Sequence, residues 1–185
     1  MKRRLNYILA LVVLFAAASC KKETQPAEEN ENELITTIQL DFTKRGTADK
    51  LIYVWEDADG PGGEIPAIDE IALEPNTEYD VKVTLWDKSK TPAEDVTEEV
   101  RAESENHRFY YETSAGSGIA IADFDNDING VPLGITSVWT TTSAATGTFS
   151  LILRHYPNGG KEASDAAGST KSTTDAGAIF DFVVE

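Results

Sequence analysis

The sequence predicts an all-β protein, a two-sheet β-sandwich of about nine strands with one short helix over about residues 92–103. Three observations carry this reading. Tyr79, Val81, Val83 and Leu85 alternate with Asp80, Lys82 and Thr84, and period two over such a run marks a strand with one buried and one solvated face. Similar runs recur from Leu34 to Val184, separated by segments rich in Gly, Asn, Asp and Pro, the residues that punctuate strands. Only the stretch after Thr91 has helical spacing, and no segment repeats.

Leu34, Thr36, Ile38, Leu40 and Phe42 alternate with Thr37, Gln39 and Asp41, giving the first strand. A turn at Gly46-Thr47 leads to the second, Leu51 to Trp55, and Glu56 to Gly63 (EDADGPGG) is a loop by composition. Ile68 to Leu73 forms a third strand ahead of Tyr79–Leu85. Thr91-Pro92-Ala93-Glu94 combines a T-x-x-E capping box with proline at the first helical position. Val96 and Val100, four apart, give that helix its apolar stripe. Strands resume at His107–Glu112, Ile119–Ile128 and Val131–Thr141, the last two flanking Asn129-Gly130. Asn-Gly suits the two positive-φ positions of a type I′ hairpin turn. Gly147–Tyr156 and Ala178–Val184 complete the set, with a Gly/Ser/Thr/Ala-rich segment, 157–177, expected as a long flexible loop.

The spacing L-x-P-x-T-x-Y-x-V-x-V from Leu73 to Val83 resembles the tyrosine corner of immunoglobulin-like and fibronectin type III domains. That resemblance implies an immunoglobulin-like sandwich in which Tyr79 bonds back to the preceding turn. It covers the corner, Leu73–Leu85, and not a fibronectin strand order, because only three strands precede the corner and five follow.

The chain opens with Lys2, Arg3 and Arg4, then an apolar run from Tyr7 to Ala18, then Ser19 and Cys20. A basic start, an apolar core too short to span a bilayer and small residues before a cut site make a secretory signal over residues 1–19. Ala17-Ala18-Ser19-Cys20 resembles a lipobox, with alanine where leucine is usual. The resemblance implies cleavage before Cys20, its modification by diacylglycerol, and anchoring to the outer membrane. Cys20 is the only cysteine, so no internal disulfide forms. Residues 21–33 (KKETQPAEENENE) have no apolar periodicity and read as a solvated tether. A lysine and acidic run directly after such a cysteine resembles surface-export signals of Gram-negative lipoproteins, which implies the cell surface; the alternative is the periplasmic face.

Cleavage removes three of the 16 basic residues and leaves 13 against 32 acidic ones, a net charge of −19. This acidity argues against nucleic acid as a partner and against close contact with anionic lipid. Beyond residue 33 about 150 residues remain, enough for a single domain, 34–185, with its own core.

Three groups are candidate sites. Asp125-Asn126-Asp127-Ile128-Asn129-Gly130, with Asp123 just upstream, reads as D-x-D-x-N-G, the first half of a calcium loop. Its twelfth position is Thr136 rather than a bidentate glutamate, which excludes an EF-hand. Asp57-Ala58-Asp59-Gly60 is a second oxygen-rich loop. Asp/Asn/Gly-rich turns also form without binding calcium. The second group is His107 and His155. If their strands are adjacent and antiparallel, both imidazoles lie at one end of the sandwich. There, with carboxylates such as Glu103, Glu105 or Glu162, they could hold a transition metal or haem; the alternative is a pair of hydrogen-bonded structural histidines. The third is Trp86, out of phase on its strand, either a stacking platform for a partner or a residue packed under the helix.

No nucleophile elbow, HExxH, CxxC or phosphate-cradling glycine loop is present, so catalysis is not expected. The order of TPAEDVTEEV, LRHYPN and TDAGAIFDFVV is similar to small uncharacterised lipoproteins encoded beside TonB-dependent receptors. That resemblance implies an accessory binding protein for such a receptor or its cargo. The alternatives are a calcium-stabilised adhesive domain and metal or haem capture through His107 and His155.

Overall fold

A chain of alternating strands with one apolar face each buries those faces by stacking two sheets, and the computed structural model shows this arrangement. It describes residues 34–60, 62–157 and 160–185. The signal peptide, Cys20 and the tether lie outside the described residues. One sheet holds β1 (Thr37–Lys44), β2 (Lys50–Glu56), β3 (Ala67–Ile68), β5 (Glu78–Asp87), β6 (Glu94–Asp95), β8 (Ile119–Ala122) and β9 (Thr136–Thr141). Its order is β3-β2-β1-β5-β9-β8, with β6 pairing the end of β5. The other holds β4 (Ile71–Leu73), β7 (His107–Thr113), β10 (Ala145–His155) and β11 (Thr173–Val184) in the order β4-β11-β10-β7.

The inward faces are those the alternation names. Leu40, Phe42, Val83 and Leu85 from one sheet meet Phe149, Leu151, Phe180 and Phe182 from the other, all buried. Trp139 is the hub, fully buried, with its ring 4.7 Å from Phe149 and 5.0 Å from Phe42, both edge-on. That geometry suits the aromatic quadrupoles and adds to the burial of large apolar area.

Tyr79 forms the expected corner. The chain leaves β4 in one sheet, turns through Pro75-Asn76 and enters β5 in the other. The buried Tyr79 hydroxyl accepts the backbone N–H of Glu74 at 3.0 Å. Thr141 Oγ1 donates to the Glu74 carbonyl at 2.6 Å, so both polar groups of that crossing residue are satisfied.

Five local expectations are corrected. The stretch Ile68–Leu73 is two strands, β3 and β4, one in each sheet, because the chain changes sheets there; with β6 this makes eleven strands among the described residues. The helix is only Thr97–Ala102. Glu94 and Asp95 of the apparent capping box pair with Asp87 and Trp86 instead, and Asp95 Oδ1 accepts from Thr97 N at 2.9 Å. β8 and β9 do form an antiparallel pair, but they stop at Ala122 and start at Thr136. The turn at Asn129-Gly130 is not type I′: of that pair only Gly130 has positive φ, Gly130 N bonds Asp127 O, and Asp127 Oδ1 accepts from Asn129 N and Val131 N. An Asx side chain has taken over the turn. Finally, residues 173–177 belong to β11, and the segment before them is tied down by Arg108 and Arg154, whose guanidinium groups donate to carbonyls of Glu162, Ala163, Asp165, Ser169 and Ser172.

Several features gather at one end of the sandwich. β1 begins opposite Trp86, where β5 ends and β6 leads into α1 (Thr97–Ala102). Residues 133–135 cross from sheet to sheet there, the Ile135 carbonyl accepting from Val83 N and the Leu133 carbonyl from Phe109 N. β7 starts and β10 finishes at this same end.

Candidate metal centre

β7 and β10 are adjacent and antiparallel, and the register places His155 directly opposite His107. The two rings stack, with centroids 4.8 Å apart and planes inclined by 19°. Both side chains are buried, since they continue the inward faces of Phe109 and Leu153 to the sheet's end. α1 is capped at Glu103, whose carbonyl accepts from Asn106 N at 2.8 Å. His107 Nδ1 lies 3.2 Å from that carbonyl. A carbonyl only accepts, so Nδ1 carries a proton, and in the neutral form of the ring the lone pair is on Nε2.

Nε2 faces Asp175 Oδ2 at 3.5 Å, with side chains 3 % and 7 % exposed. Asp175 is at a β-bulge. Leu153 pairs with Ala176 and Arg154 with Thr174, so Asp175 is skipped by the ladder. Bulges re-aim side chains, and this one turns a carboxylate inward beside the histidines. Its Oδ1 has no hydrogen-bond partner. One ring nitrogen from each histidine and one carboxylate oxygen of Glu103 lie within 4.8 Å of one another. Among the described residues this is the one grouping of three His, Cys, Asp or Glu side chains close enough to share a metal. Glu103 is exposed, so the cluster opens to solvent on the helix side. Burial, followed by the charge of His107, pushes the His155 pKa below the ordinary imidazole value, against the pull of Asp175 and Glu103. A neutral imidazole is the form that ligates metal.

Of the carboxylates expected beside the histidines, Glu103 is there and the other two are not. Glu105 accepts from Asn129 Nδ2 at 2.6 Å, and Glu162 pairs with Lys171 at 2.8 Å. Asp175 lay in the segment read as a loop, and nothing in the alternation marks a bulge.

The calcium reading of Asp123, Asp125, Asp127 and Asn129 is corrected. Their oxygens do not converge. Asp123 and Asn129 are exposed, and Asp125 Oδ1 accepts from Thr136 N while Oδ2 faces Arg101 at 3.6 Å. Asp127 is already neutralised by Lys161, whose Nζ is 2.8 Å from Oδ2, with side chains 2 % and 1 % exposed. The same ammonium donates to the carbonyls of Ser104, His107 and Pro132. Burial alone would raise the Asp127 pKa; Lys161 and the N–H groups of Val131 and Asn129 outweigh it and hold the carboxyl below its usual range. The turn is a socket for a lysine 34 residues beyond Asp127 in the chain. Asp59 Oδ2 is taken by Glu64 N at 2.8 Å, in the loop that borders an open cavity of ≈ 430 Å³ beside Glu56 and Asp57.

Trp86 is half-buried between Thr37 and Asp95, not an exposed platform. No protein family, curated protein or solved structure matches the chain.

Proposed function

We propose that this chain is a lipid-anchored outer-membrane binding domain on the cell surface, an accessory to a TonB-dependent transporter or its cargo. The observation that carries the reading is positional. The folded chain begins at the end of the sandwich that bears α1, Trp86 and the histidine pair. A domain tethered through residues 21–33 from Cys20 therefore leaves its anchor from the end that holds its candidate site, and a membrane receptor is the partner within reach of that end.

A tag at Glu185, remote from the anchor in sequence, allows purification of the detergent-solubilised protein. Stoichiometric recovery of a TonB-dependent receptor supports this function, and its consistent absence overturns it. Protease treatment of intact cells tests the placement: digestion of this protein supports the surface, and protection until lysis moves it to the periplasmic face.

A further inference from the structure

We propose that Glu103, His107, His155 and Asp175 form a binding site for a divalent transition metal of the zinc class. The argument is from ligand type, spacing and unmet charge. Two imidazoles with carboxylates are a donor set that suits zinc. Ligands about 2.05 Å from one tetrahedral metal sit about 3.3 Å apart, and His107 Nε2 to Asp175 Oδ2 is 3.5 Å. The three donors from Glu103, His107 and His155 lie within 4.8 Å of one another, and Asp175 meets this group through His107 Nε2; because the two rings are stacked with planes inclined by 19°, closure onto one ion needs an imidazole to turn as well as the carboxylates to shift. One of those carboxylates, Glu103, is exposed and able to move.

The second line is independent of that spacing. Asp175 is a buried carboxylate, re-aimed by a bulge, with an oxygen that has no hydrogen-bond partner. A buried carboxylate left this way is costly unless a cation compensates it. The Nδ1–H of His107 meets the Glu103 carbonyl, the outer-shell contact that orients metal-ligating imidazoles and directs Nε2 to the ion. Glu103, exposed at the end of α1, offers the entry side. The ion would be the cargo or stabilising ligand of the binding domain proposed above, but the site itself stands on these residues alone.

The test uses the full-length product extracted in detergent, stripped with EDTA and treated with iodoacetamide, which blocks Cys20 in any chain whose sulfur does not already carry the lipid, so that no thiol competes. Titration with Zn²⁺ is expected to saturate at one ion per chain, and Co²⁺ in its place to give the visible absorption of a tetrahedral site. His107→Ala and His155→Ala are expected to weaken Zn²⁺ binding by more than about 100-fold, beyond the range for outer-shell partners, and Asp175→Asn by at least about 10-fold. Because buried variants risk unfolding, Glu103→Gln serves as the second variant: its side chain is exposed, so the metal-free melting temperature stays unchanged while affinity falls. No stoichiometric Zn²⁺ binding by the wild type overturns the proposal. So does wild-type affinity in Glu103→Gln and in folded His155→Ala. Failure here leaves receptor co-purification untouched, and failure of that experiment leaves this site standing.

Discussion

Replacing Lys161 with methionine should be among the most damaging single changes available in this domain. Methionine matches the lysine side chain out to its fourth heavy atom but removes the ammonium that sits 2.8 Å from Asp127 Oδ2 in a pocket where both side chains are almost fully buried. Asp127 retains the N–H groups of Asn129 and Val131, yet its charge loses its counter-ion, and three carbonyls lose their donor. Breaking a buried pair from one side costs about 3–5 kcal/mol. In a domain of this size each kcal/mol moves the melting temperature by about 2–4 °C, so a fall of about 12 °C is expected by circular dichroism or calorimetry. The double variant Lys161→Met with Asp127→Asn removes the stranded charge while the asparagine oxygen still accepts the two turn N–H groups. It should be more stable than Lys161→Met alone, giving a coupling energy of at least about 1–3 kcal/mol in a double-mutant cycle. A single variant that melts within about 3 °C of wild type, or two changes whose effects simply add, would refute the reasoning and return the Asp-rich turn to the status of solvated loop.

Tyr79→Phe strands the Glu74 N–H that the phenol oxygen accepts; a loss of about 1–3 kcal/mol is expected in urea melts, and an unchanged midpoint would refute the corner's role. Gly134 has φ +86°, and a Cβ there would lie 3.1 Å from Phe109 Cβ and 3.4 Å from its carbonyl oxygen, so Gly134→Ala should destabilise by about 1–3 kcal/mol; stabilisation instead would contradict it. His155 has a folded-state pKa below its unfolded value. The unfolded chain therefore binds that proton first as pH falls, and this contribution is complete above about pH 6.5 and declines below it. Asp127, also depressed, holds its contribution until about pH 4. Metal-free melts between pH 7.5 and 5 should show a decline that His155→Gln reduces, with His107, Glu103 and Asp175 still facing the position; parallel curves for the two proteins would rule the linkage out.

Much of the architecture was legible because its cause is local. Period-two alternation reports which side of a pleat faces apolar neighbours, so Tyr79–Leu85 and Phe149–His155 could be placed as strands with their inner faces named. The tyrosine spacing identified a crossing between sheets. His107 and His155 could be placed at the start and finish of their strands, and the adjacent, antiparallel pairing of those strands then brings both to one end. Local cues misled where a tertiary partner competed with them. The capping box at Thr91–Glu94 is a sound helix start in isolation, but the end of β5 offers Glu94 and Asp95 a ladder and the helix starts later. Asp127 carries the signature of a cation loop, and the cation it meets is an ammonium from residue 161.

By itself the sequence determined the fold class, the inner face of most strands, the tyrosine corner and the position of each histidine at an end of its strand, because each is encoded by spacing along the chain. The tertiary structure decided which strands share a sheet, that the Asp-rich turn holds Lys161, and that Asp175 rather than Glu105 or Glu162 stands beside His107. Those outcomes depend on groups far apart in sequence whose desolvated charges must find partners once the sandwich closes, and no local pattern records which partner wins.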